Sequence, residues 1–231
     1  MDLNSLHPGG TALSLRTARA AGLSPGDKVL DIGCGTGATL AVLKSTLDII
    51  PFGADISAKV LEIARSVHPE MTFSLCDASA IPYPDGYFDA VMMECVLTLL
   101  DSPEDALEEA ARVLKSDGTL LLSTLARTQE NEETVETGDG SLSPFTCHNG
   151  LANIASLTAY LDQLGLQLEY YEDNKKMLTD YMIESVMKYG SIEKRIAEET
   201  ALTGASVFDC CIAYDPKRIT YYSLIFSHSS I

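Results

Sequence analysis

The sequence predicts an α/β protein built on a parallel sheet with helices on both faces. Three observations predict it. Short apolar runs bounded by turn residues alternate with helix-like stretches through the first half of the chain. A glycine-rich turn follows the first apolar run and opens a helix. Acidic residues Asp31, Asp55 and Asp77 stand at the ends of the first three runs, where ligand-binding loops of such sheets lie.

Each element has a local reason. Thr11 to Ala21 carries Leu13, Leu15, Ala18 and Ala21 around Arg16 and Arg19 and reads as a short helix. Gly22 and the turn Ser24-Pro25-Gly26-Asp27 end it. Lys28 to Ile32 is the first strand and Ala38 to Leu47 the next helix. Ile49 to Ala54 is the second strand, ending at Asp55, and Ser57 caps the helix Ala58 to Val67. Met71 to Cys76 is the third strand, ending at Asp77, and Phe88 to Met93 the fourth. Pro103 starts a helix that runs to about Lys115 and is closed by Asp117-Gly118. Thr119 to Leu125 is the fifth strand. Arg127 to Ser143 is acidic, without periodicity, and reads as a mobile loop. A helix at Leu151 to Leu164 and a strand at Leu166 to Tyr171 resume the pattern. Residues 174–217 are helical in character, with Met177, Tyr181, Met182, Val186 and Met187 at helical spacing. They read as an insertion that caps the site or forms a dimer surface. Ile219 to Phe226 is the last strand. The whole chain, residues 1–231, reads as one domain.

Composition narrows the function classes. The 231 residues are 46% hydrophobic and 21% charged, ordinary values for a globular protein. The formal charge of −17 opposes binding to phosphate backbones and anionic lipid, and no Lys/Arg cluster offsets it. No apolar run approaches the roughly 20 residues needed to cross a bilayer. The expected setting is the cytoplasm, with a small-molecule substrate, no nucleic acid, no membrane, and a monomeric or homodimeric state. The six cysteines, Cys34, Cys76, Cys95, Cys147, Cys210 and Cys211, form no CxxC pair and no metal-ligand spacing, so no metal site is expected.

The strongest motif is Val29-Leu30-Asp31-Ile32-Gly33-Cys34-Gly35-Thr36-Gly37 at a strand-to-helix junction. Glycines let the backbone turn tightly and approach a ligand closely. The free N–H groups of the following helix favour a carboxylate or phosphate. Gly33, Gly35 and Ala38 also satisfy a dinucleotide fingerprint, so NAD is a rival ligand. Asp31 argues against it, because its carboxylate would lie beside a pyrophosphate. Asp55 follows the loop by about 20 residues, where a ribose-binding acid belongs in either reading.

At these residues the chain resembles the class I methyltransferases that use S-adenosylmethionine (AdoMet), in the branch of the ubiquinone/menaquinone and arsenite methyltransferases. The resemblance spans residues 22–126. It is carried by Val29 to Gly37, by Gly53-Ala54-Asp55-Ile56-Ser57, and by Cys76-Asp77-Ala78-Ser79-Ala80-Ile81-Pro82-Tyr83-Pro84-Asp85-Gly86-Tyr87-Phe88-Asp89-Ala90-Val91. Arg112 to Leu120 adds a similar turn, with Ser116-Asp117 where that branch has Pro-Gly. The resemblance implies a three-layer Rossmann-like fold, mostly parallel, with seven strands and an antiparallel last strand. It implies that Asp31 and the loop of Gly33, Cys34, Gly35 and Gly37 hold the methionyl end of AdoMet. It places Asp55 on the ribose, Ile56 on the adenine face, and Asp77 and Ala78 on the adenine edge, with Glu94 in the same cofactor set.

For the transfer itself the candidates are Cys95, Cys147 and His7. Cys95 follows the fourth strand and Cys147 precedes the later helix, contexts that resemble the metalloid-binding cysteines of arsenite methyltransferases. Glu94 and Thr98 stand where that context has Asn. Thiolates suit soft acceptors, and Cys210-Cys211 are further thiols in the C-terminal part. His7, in Leu6-His7-Pro8-Gly9-Gly10, is placed to fold over the site. The expected activity is methyl transfer to a small-molecule nucleophile, with a thiol or metalloid held by cysteines as one acceptor class. The alternative is a noncatalytic AdoMet-binding regulatory module.

Overall fold

The computed structural model describes residues 7–127, 152–203 and 219–228. These residues form a seven-stranded sheet with helices packed on both faces. The strands are β1 (Lys28–Ile32), β2 (Ile50–Asp55), β3 (Thr72–Leu75), β4 (Phe88–Glu94), β5 (Leu114–Arg127), β6 (Leu166–Asp173) and β7 (Ile219–His228). The helices are α1 (Gly10–Ala20), α2 (Ala38–Leu47), α3 (Ala58–Val67), α4 (Pro103–Val113), α5 (Ile154–Gln163), α6 (Lys175–Tyr189) and α7 (Ile192–Thr203). The order across the sheet is β3-β2-β1-β4-β5-β7-β6. β1 to β5 run parallel, and β7 lies antiparallel between β5 and β6.

Alternation along the central strands divides the core in two. Leu30 and Ile32 of β1, Val91 and Met93 of β4, and Leu120 and Leu122 of β5 face α4 and α5. Val29, Ala90, Met92 and Leu121 face the other way, against Ala18 of α1, Leu40 and Leu43 of α2, and Leu61 and Ala64 of α3. A third cluster joins Leu13 of α1 to Cys95, Leu125, Leu178, Ile219 and Tyr221. It packs α1 and α6 together against β5 and β7.

Local signals explain the element ends. Ser57 caps α3 by accepting from the Val60 N–H, and Asn153 caps α5 by accepting from the Ser156 N–H. Pro103 sits in the first turn of α4, beside Glu104 and Asp105. Three expectations need correction. α4 stops at Val113, two residues short of Lys115, because Leu114 already pairs with Phe88 of β4. Asp117-Gly118 does not close a helix. It lies inside β5, where a register shift between Phe88 and Ala90 absorbs it. The helix expected from Leu151 begins only at Ile154. In the 174–217 stretch, residues 175–189 and 192–203 are helical. The expected loop beyond Arg127, with Cys147 and His148, lies outside the described residues, as do Cys210 and Cys211.

Candidate functional site

β1 ends at Ile32, and the chain turns at once. The Gly33 and Cys34 N–H groups both donate to the Ala54 carbonyl of β2, at 2.7 and 3.1 Å. Gly33 has φ +76°, and a Cβ there would lie 2.2 Å from a Val96 methyl. Gly35 has φ +53° with open space where a Cβ would point, and its N–H donates to Asp55 Oδ2 at 3.0 Å. Gly37, φ +80°, begins α2 with no side chain capping its N-terminus. The glycines are needed here for left-handed backbone and, at Gly33, for close approach.

The loop forms one wall of a cavity of about 520 Å³. The cavity lies past the carboxyl ends of β1, β2 and β4, at the crevice where the strand order reverses. Asp31, Asp55 and Asp77 line it, as do Ile56 and Ala78, which follow the last two in the chain. Glu94, Cys95, Val96 and Leu99 line the β4 side, and His7 lies over it.

The acids differ in how they are held. Asp55 accepts from Gly35 N–H and from its own loop at Ser57 N–H, 2.8 Å away. Asp77 is exposed and accepts from the Ser79 N–H and hydroxyl, which hold its carboxyl below the usual range. Asp31 is buried, at 4% exposure. It receives no hydrogen bond from the described residues. Burial, reinforced by Glu94 and Asp55, holds its carboxyl well above the usual range.

The Glu94 side chain is also buried but is served on one oxygen. Its Oε2 accepts from the Ser14 hydroxyl at 2.9 Å and the Thr39 hydroxyl at 3.1 Å, and lies 3.2 Å from His7 Nε2. Burial alone would raise its carboxyl. The His7 charge and these donors outweigh burial and hold it below the usual range. His7 Nδ1 donates to the Pro8 carbonyl at 3.1 Å. Acceptors at both ring nitrogens favour the imidazolium form of His7. Burial works against that charge, but Glu94 and Pro8 prevail and raise the His7 pKa.

Behind this pair, Cys95 takes a left-handed backbone, φ +57°, and its thiol donates to the Tyr221 hydroxyl at 3.3 Å. That hydroxyl lies 3.5 Å from His7 Nδ1. Burial, with Cys95 and Glu94 nearby, keeps Tyr221 a neutral phenol.

The structure therefore brings His7, Asp31, Gly33, Cys34, Gly35, Asp55, Ile56, Asp77, Ala78, Glu94 and Cys95 to one cavity, with Gly37 just behind at the start of α2. The Cys34 thiol itself is buried and un-ionised, raised by burial and by Asp31, and makes its only described hydrogen bond to the Gly35 carbonyl. Cys147 lies outside the described residues. Sequence reasoning missed Ser14, Thr39 and Tyr221. Ser14 and Thr39 meet Glu94 across 80 and 55 positions of chain, and no spacing rule marks them. Among the described residues no group of His, Cys, Asp and Glu side chains is arranged to hold a metal ion. No described helix is long and apolar enough to cross a membrane.

Comparison with known proteins agrees with this architecture. Residues 30–122 match the methyltransferase-domain family. Over 173 residues the chain is 31% identical to 27-O-demethylrifamycin SV methyltransferase of Amycolatopsis mediterranei, covering 68% of this chain and 61% of that one. Over 131 residues it is 37% identical to the ubiquinone/menaquinone biosynthesis C-methyltransferase of Paraburkholderia phytofirmans, covering 52% and 53%. In both cases the match covers less than two thirds of the relative's own length. Among solved structures, phosphoethanolamine N-methyltransferase 2 of Haemonchus contortus, bound to S-adenosyl-L-methionine, superposes with a TM-score of 0.72 at 19% identity, over 99% of this chain and 55% of that one. Residues 30–122 are thus similar to a methyltransferase domain. The chain resembles the class I AdoMet-dependent methyltransferases of the ubiquinone/menaquinone branch.

Proposed function

We propose that this cavity binds AdoMet and that the protein moves the cofactor's methyl group to a small-molecule nucleophile. The observation that carries the reading is Asp31, a buried carboxyl with no described donor, on the wall of a cavity beside a glycine loop. Such a group calls for a ligand that brings positive charge. The cavity volume falls within the range usual for small-molecule and cofactor sites.

The residues present fit the group. Asp31 and the Gly33–Gly35 backbone would hold the methionyl end. Asp55 uses one lone pair of each oxygen on Gly35 and Ser57 and keeps others for the ribose hydroxyls. Ile56, 71% exposed although apolar, offers a flat hydrophobic contact to the adenine. Asp77, oriented by Ser79, and the Ala78 N–H meet the edge of the base. All three donors to Glu94 converge on Oε2, which leaves Oε1 for the ligand. NAD would place its pyrophosphate against Asp31. When bound, AdoMet supplies a methyl carbon activated by its sulfonium. The chain's own work is to align the nucleophile and exclude water, where positioning contributes roughly 7–11 kcal/mol.

His7, already committed to Pro8 and Glu94, serves in this reading as the bolt that holds the start of α1 over the cavity rather than as a free base. α6, which shares a buried cluster with α1, serves with α7 as a cap in this reading. The named activities of the relatives favour an oxygen or carbon nucleophile. A thiol or metalloid acceptor is the second reading, supported by Cys95 in the cavity wall. Incubating the protein with methyl-labelled AdoMet and a panel of phenols, alcohols, quinols, thiols and arsenite tests the proposal. Label transfer to one acceptor class is expected. Saturable AdoMet binding with no transfer to any acceptor would favour the noncatalytic module.

A further inference from the structure

Asp31 stands apart from the other acids at the strand ends of the cavity. Asp55, Asp77 and Glu94 each accept hydrogen bonds from nearby N–H or O–H groups. Asp31 accepts none among the described residues, although it is 4% exposed. Among the described residues, the titratable groups that face it are Asp55 at the end of β2, Glu94 at the end of β4 and the Cys34 thiol of its own loop. None is a cation. His7 is the only basic side chain among the described residues lining the cavity, and Glu94 engages it. A carboxylate without donors, beside two other carboxylates, is far costlier than the neutral acid.

We infer that Asp31 carries a proton in the ligand-free protein and releases it when a cationic ligand enters, so that binding at this cavity is coupled to proton release. The inference rests on the AdoMet reading for the identity of the ligand, whose ammonium is the cation. The O–H bond of the Asp31 carboxyl breaks, the proton passes to solvent, and the carboxylate pairs with the incoming charge. Asp31 thereby selects for charge, because a neutral ligand cannot offset the cost of ionising it. The shift of Asp31 above its ordinary value of 3.8 sets the direction of the pH dependence. Between 3.8 and the raised value the free protein holds the proton, and affinity for a cation climbs with pH, by up to about tenfold per unit, before levelling off above the raised value.

The test is calorimetric titration in buffers of different ionisation enthalpy across that window, using AdoMet, S-adenosylhomocysteine and 5′-methylthioadenosine, which lacks the ammonium. The expected result is release of up to about one proton per site with AdoMet and S-adenosylhomocysteine, and none with 5′-methylthioadenosine. Asp31→Asn should abolish the release and flatten the pH dependence. Infrared difference spectra of the parent protein provide a readout that needs no variant. AdoMet should remove a protonated-carboxyl band and raise a carboxylate band. AdoMet binding with no proton release and no carboxyl band change overturns the inference, as does release that persists in Asp31→Asn. If neither AdoMet nor 5′-methylthioadenosine binds, the cofactor reading falls with it.

Discussion

His7 Nε2 lies 3.2 Å from Glu94 Oε2, and both side chains are buried. The contact ties the segment leading into α1 to the end of β4 and places a charged pair at the wall of the cavity. Its contribution to stability depends on pH from both sides. His7 is raised from 6.5, so its contribution is full below 6.5 and is lost as pH rises through the raised value. Glu94 is lowered from 4.5, so its contribution is full above 4.5 and is lost as pH falls through the lowered value. Glu94→Leu removes the acceptor for His7, Ser14 and Thr39 and should cost about 3–5 kcal/mol where the pair is intact. Chemical denaturation of parent and variant at several pH values checks this. The difference should be largest between the two ordinary values. A difference independent of pH contradicts the charged pair.

Gly33 should not tolerate even alanine. A Cβ would lie 2.2 Å from Val96 Cγ2, on a backbone with φ +76°. Gly33→Ala should destabilise the protein by about 1–3 kcal/mol through strain and overpacking. Adding Val96→Ala should recover the part due to the clash and leave the part due to backbone strain. Thermal melts of the single and double variants measure both.

Much of this was legible in the sequence because the signals are local. α2 and α3 begin and end where the sequence reading placed them, since Gly37 and Ser57 mark their starts and the apolar spacing carries each helix through. The glycine loop and the acids at the strand ends were legible for the same reason. The start of β5 was not, because Arg112 to Lys115 continues a helical pattern and Asp117-Gly118 reads as a stop. Pairing of Leu114 with Phe88 overrides both, and that contact is tertiary. The hydroxyls that serve Glu94 were invisible for a related reason. Ser14 and Thr39 sit on α1 and α2 as ordinary helical residues, and only packing of those helices over β4 turns them toward one carboxylate. Nor does the sequence reveal that Asp31, though buried, goes without a donor among the described residues.

Asp55→Ala should weaken AdoMet binding by about 1–3 kcal/mol, because buried ribose hydroxyls would lose a charged acceptor. The same substitution frees the Gly35 and Ser57 N–H groups, so some of the loss reflects a looser loop. Asp55→Asn separates the two effects. It keeps an acceptor oxygen and should recover part of the affinity. Equal affinity in parent and Asp55→Ala sinks the ribose assignment.

Cys95 distinguishes the acceptor classes. Its thiol is buried and bonded to Tyr221, so Cys95→Ser preserves size and the hydrogen bond. With an oxygen or carbon acceptor, the variant should keep turnover within about threefold, below 1 kcal/mol of transition-state effect. With a metalloid acceptor held by this thiol, transfer should collapse while AdoMet affinity is unchanged. Label-transfer assays on parent and variant decide between them.

The central claim is that the cavity behind the glycine loop takes AdoMet. Isothermal titration of the purified chain with AdoMet, and separately with NAD, measures it directly. The account predicts saturable one-site binding of AdoMet, displaced by S-adenosylhomocysteine, and no response to NAD. Tight binding of NAD with no heat from AdoMet would contradict it.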